Sequence, residues 1–88
     1  MVDLNQKMML KWLDITSQSE PWISMEEAIS MKPAVMVSLG WIIKETLEYI
    51  TIASTVDTED ELVGDVNCIP RLVIIEMIPL SSTGVLVD

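Results

Sequence analysis

Enzymatic chemistry needs bases, nucleophiles or metal ligands within reach of one another, and this sequence is poor in all three. It has no histidine, and Cys68 is its one cysteine. That removes His/Cys zinc sites, a Cys-His nucleophile pair and any disulfide within the chain. Cys68 falls in an apolar run, where a free thiol packs as a small hydrophobe. The serines have neither a G-x-S-x-G elbow nor an imidazole to activate them. Three scattered glycines form no phosphate-cradling loop of the G-x-x-x-x-G-K-[ST] or G-x-G-x-x-G kind. The sequence predicts no enzyme, no cofactor and no metal site.

Asp57-Thr58-Glu59-Asp60-Glu61 concentrates the carboxylates that a hard cation takes. An EF-hand loop beginning at Asp57 would want glycine at position 62 and glutamate at 68, where this chain has Leu62 and Cys68. The run reads instead as a solvated acidic loop. Groups suited to binding are more promising. Arg71 is the one arginine beside four lysines, and its planar fork can grip a phosphate or carboxylate bidentately. A salt bridge to one of the many acids is the competing use of the same fork. Trp22, between Pro21 and a helix start, and Tyr49, at a strand start, offer faces on which a base stacks for ~1–3 kcal/mol. Arg71, Trp22 and Tyr49 are therefore the candidate ligand-binding residues, while Trp12 and Trp41 read as core anchors.

The elements that must carry these residues are short. Met8 to Ile15 alternates imperfectly, as a strand does. Ser24-Met25-Glu26-Glu27 fits the S-x-x-E capping box, predicting a helix from about Met25 to Met31 that ends before Pro33. From Val35 to Lys44, Val35, Val37, Leu39, Trp41 and Ile43 share one face, and Gly40 beside Trp41 suggests a bulge or sharp bend. Glu45 to Glu48 turns the chain, and Tyr49 to Thr55 is β-branched enough to pair back as a hairpin. Leu62 to Ile69 follows the acidic loop, and Pro70 then interrupts the ladder because it has no amide proton. Leu72 to Leu80 is the last strand, apolar on both faces apart from Glu76, so both faces should be covered.

The expected fold is mainly β, a small, strongly bent antiparallel sheet or SH3-like or Sm-like barrel with one short helix. The alternative is an α+β open sheet with a packed helix. Residues 1–80 read as a single small domain and 81–88 as a C-terminal tail. The start lacks the basic n-region and apolar stretch of a signal peptide, and no apolar run approaches the ~20 residues of a membrane helix, so the expected place is the cytosol. Fourteen acids against five bases give a net charge of −9, which repels nucleic-acid phosphates. Neither nucleic acid nor membrane is expected as a partner.

Trp12-Leu13-Asp14, Trp22, Ser38-Leu39-Gly40-Trp41-Ile42-Ile43-Lys44-Glu45 and Ile69-Pro70-Arg71 together resemble a widespread group of small bacteriophage proteins, most without an assigned function. The resemblance spans about Met8 to Leu80. It implies a phage accessory product acting in the host cytosol and carries over no catalytic residue. By analogy with phage proteins of this size, it also implies an inhibitor of host defence, such as an oligomer that sequesters a nucleotide-type immune signal.

Half of the residues are hydrophobic, more than a chain of 88 residues can hide, so a homo-oligomer is expected to cover the remainder. Two binding roles then compete. The favoured one is capture of a nucleotide-type ligand at subunit interfaces by Arg71 with Trp22 or Tyr49. The other is docking of the acidic surface on a basic host protein, by charge mimicry of nucleic acid. On the first role, Arg71→Ala would abolish ligand retention while leaving assembly and melting nearly unchanged.

Overall fold

Runs of alternating side chains separated by turn residues fold here into five antiparallel strands, seen in a computed structural model that describes residues 6–81. The strands are β1 (Lys7–Asp14), β2 (Ala34–Glu45), β3 (Tyr49–Asp57), β4 (Leu62–Pro70) and β5 (Ile74–Leu80). A short helix, α1 (Met25–Ser30), interrupts the β1–β2 connection, and a single 3-10 turn (Arg71–Val73) joins β4 to β5. The order across the sheet is β4-β3-β2-β1-β5. This is the expected mainly β architecture with one short helix, and its ladder does not close, since β4 and β5 are the two outer strands. The expected tail at 81–88 lies outside the described residues save for Ser81.

The sheet is strongly staggered. β2 pairs with β1 from Ala34 to Trp41 and with β3 from Trp41 to Glu45, so the two neighbours overlap only at Trp41. Gly40 sits at this crossover. A Cβ there would lie 2.2 Å from the Ala53 carbonyl oxygen, so only glycine admits so close a backbone approach. The register slip itself falls two to three residues later, where Ile43 is the extra residue between Ile42 and Lys44. A second slip makes Ile75 the extra residue between Ile74, which pairs with Trp12, and Glu76, which pairs with Lys11.

These slips decide what is inside. Leu10, Ile50, Ile52 and Ile69 form the buried cluster, with Met8, Trp12, Ile42, Val73, Ile74 and Met77 packed against it. Each fully buried aliphatic side chain of this kind contributes about 1.5–3 kcal/mol. Trp12 is anchored as expected, and its Nε1 donates to Ser38 Oγ at 3.0 Å. Trp41 is not in this cluster: it pairs with Lys7 on the opposite face and is half-buried. Leu72, expected to begin the last strand, lies instead in the 3-10 turn at 99% exposure, because Pro70 delays re-entry into the ladder.

α1 is capped as its sequence predicts, with Ser24 Oγ accepting from the Glu27 amide at 3.0 Å. It ends at Ser30, one residue earlier than expected, and no residue of it is buried. The helix therefore does not pack over the sheet in the manner of the α+β alternative. No helix of the described residues is long and apolar enough to cross a membrane.

Candidate functional site

Pro70, with φ −59°, turns the chain out of β4 and sets Arg71 at the head of the 3-10 turn. The Arg71 backbone amide donates to the Glu48 carbonyl at 2.8 Å, fastening the turn to the β2–β3 connection. The side chain continues the same task. Nε donates to the Thr46 carbonyl at 2.6 Å, and one terminal nitrogen donates to Glu45 Oε2 at 2.7 Å. The other terminal nitrogen lies 3.9 Å from Met77 Sδ. Thr46 is itself the hub of its connection, its Oγ1 accepting from the amides of Glu48 and Tyr49. The planar fork thus closes a clasp between two connections, with a side chain 32% exposed.

Tyr49 begins β3 and pairs in register with Pro70, so it stands beside the clasp. Lys44 Nζ lies 5.6 Å from the centre of its ring, a cation–π distance. Hydrogen bonding to Tyr49 and its charge raise the Lys44 pKa above the ordinary lysine value. Trp22 belongs elsewhere: it lies in the β1–β2 connection, 87% exposed, sharing neither strand nor hydrogen bond with Arg71 or Tyr49. The fold therefore brings Arg71 and Tyr49 together and leaves Trp22 apart from them.

A cleft of about 430 Å³ opens between the end of β1 and the end of β4, strands that are not neighbours in the sheet. Trp12, Ile69 and Val73 supply apolar wall, and Asp14, Asn67 and Cys68 supply its polar groups. Asp14 Oδ1 accepts from the Ile15 amide at 2.9 Å. The charged group on this wall is a carboxylate and not a base, so the cleft favours a neutral or cationic guest over a phosphate. The sequence could not point to it, because Trp12 and Cys68 meet only through the curl of the sheet.

The acidic run Asp57 to Glu61 forms the β3–β4 turn. Asp57 Oδ1 accepts from the amides of Glu59 and Asp60 at 3.0 and 3.2 Å, so this carboxylate organises the turn itself. No cluster of three or more metal-ligating side chains occurs among the described residues.

The exposed surface is where the fold departs most from an ordinary small domain. Val35, Val37 and Leu39 on β2 are 55%, 57% and 53% exposed, with Leu13 beside them on β1. Trp22, Met25 and Ile29 in the β1–β2 connection are also exposed. Comparison with known proteins found no matching family model, no matching curated protein and no matching solved structure.

Proposed function

We propose that this protein acts by binding and not by chemistry, as an assembly of its own copies whose acidic outer surface docks on a protein partner. The observation that carries this reading is the β2 stripe Val35, Val37 and Leu39, more than half exposed where the described residues form a buried cluster of only four. A contiguous apolar face of this kind on a small sheet is characteristic of an interaction surface. The catalytic prerequisites absent from the sequence, histidine above all, support the same reading.

Of the two binding roles, docking on a protein has the better support. Capture of a nucleotide-type ligand needs a free cationic fork, and the Arg71 fork is engaged by Glu45 and Thr46. The cleft beside it presents Asp14. A chain carrying 14 acids against five bases, by contrast, steers towards a basic protein surface. Light scattering at micromolar concentration tests the assembly, with a mass that is a multiple of 9.9 kDa expected. A salt titration tests the docking: affinity for a basic protein surface should fall steeply between low and physiological salt. A salt-insensitive complex with a nucleotide would favour ligand capture instead.

A further inference from the structure

Two apolar surfaces of this chain face solvent at different places in the fold. The first is on the β1–β2 arm, where Trp22, just ahead of α1, and Met25 and Ile29, one turn apart on it, are 87%, 76% and 77% exposed. The arm has a defined form: Ser24 caps α1, and Thr16 Oγ1 donates to the Lys32 carbonyl at 2.8 Å to join its two ends. The second surface is the outer face of the sheet, where Val35, Val37 and Leu39 lie beside Leu13.

Their charges are opposite. The arm carries Glu20, Glu26 and Glu27 against Lys32. Among the described residues of the outer face Lys7 and Lys11 stand against Glu76, an excess of base in a chain of net charge −9. Lys11 pairs with Glu76 in register yet makes no ion pair with it, so its ammonium is open to another acid. The exposed apolar parts of arm and face come to on the order of 800 Å² per copy, so two copies that exchange arms bury the share each partner buries in a standard-sized interface.

We propose that the arm of one copy seats on the outer sheet face of a second copy. Trp22, Met25 and Ile29 cover Val35, Val37 and Leu39, and Glu26 and Glu27 approach Lys11. This rests on the self-association proposed above and names the surfaces that achieve it. The same chain supplies both halves of the seat, so two copies exchange arms or several close a ring.

The test is the sedimentation mass of four full-length proteins: wild type, Ile29→Asp on the arm, Val37→Asp on the face, and Leu72→Asp as a control. Leu72 is 99% exposed and belongs to neither surface. Circular dichroism melting verifies that each variant folds, and Val35→Lys replaces Val37→Asp if the latter melts early. The proposal expects Ile29→Asp and Val37→Asp to be monomers and Leu72→Asp to keep the wild-type mass. An equal mixture of the two monomeric variants should regain mass, because the arm of the Val37→Asp copy and the face of the Ile29→Asp copy form one intact seat. An oligomeric wild type whose mass survives both substitutions overturns this seat while leaving self-association standing. A mixture that stays monomeric also overturns it, since the surfaces would then meet like with like. A monomeric wild type removes both readings.

Discussion

Arg71 holds Glu45 at 2.7 Å across 26 residues of sequence, and the same guanidinium donates to the Thr46 carbonyl at 2.6 Å. One side chain thereby fixes the β2–β3 connection to the 3-10 turn that leads into β5. The ion pair is a third to a half exposed and is worth ~0–1 kcal/mol. The half-buried bond to the carbonyl adds ~1 kcal/mol. Arg71→Ala should therefore lower stability by about 1–2 kcal/mol in urea denaturation, against the sequence-based expectation of nearly unchanged melting. Arg71→Lys should recover only part of the loss, because an ammonium cannot span both acceptors in the plane of the fork.

Gly40 should tolerate no side chain. A Cβ would meet the Ala53 carbonyl oxygen at 2.2 Å and its carbon at 2.8 Å, both backbone atoms of the neighbouring strand. Gly40→Ala is expected to cost about 3 kcal/mol or more, read as a lower denaturation midpoint with an unchanged slope. Gly64→Ala is the control. Its nearest neighbour would be the Thr55 Cβ at 3.6 Å, an ordinary contact, so stability should hold or rise slightly.

Glu61 adopts φ 54° at the end of the β3–β4 turn, a left-handed conformation that disfavours a side chain. Glu61→Gly should raise stability by about 0.5–1 kcal/mol, and removing one charge from an acidic turn acts in the same direction. A fall in the melting temperature would show that the turn holds the glutamate for another reason.

Truncating the core separates the strands' contribution from that of the arm. Ile50→Ala, at a fully buried site, should cost ~2–5 kcal/mol. Ile29→Ala, on a helix with no buried residue, should leave the melting of a dilute, dissociated sample within about 0.5 kcal/mol of wild type.

The strands were legible from their alternation, and the α1 start from Ser24 and Glu27, because both signals are local. What lay hidden depends on partners distant in sequence. The extra residues at Ile43 and Ile75 arise from the stagger between strands, and no residue type marks them. Alternation grouped Val35, Val37, Leu39 and Trp41 on one face without telling which face points inward. The choice went to the face of Leu10, Trp12 and Met77, leaving Trp41 outside the buried cluster. For Arg71 the sequence favours an ion pair with one of many acids over an anion grip but does not name the acid, which the fold supplies as Glu45.

The β2 stripe makes the central claim simple to test. Val35, Val37 and Leu39 are more than half exposed in the single chain, and the proposed assembly would cover them. Sedimentation equilibrium over a concentration series through the micromolar range is the direct measurement. The account predicts a weight-average mass that rises with concentration to a fixed multiple of 9.9 kDa. A mass of 9.9 kDa that does not change across the series would contradict it.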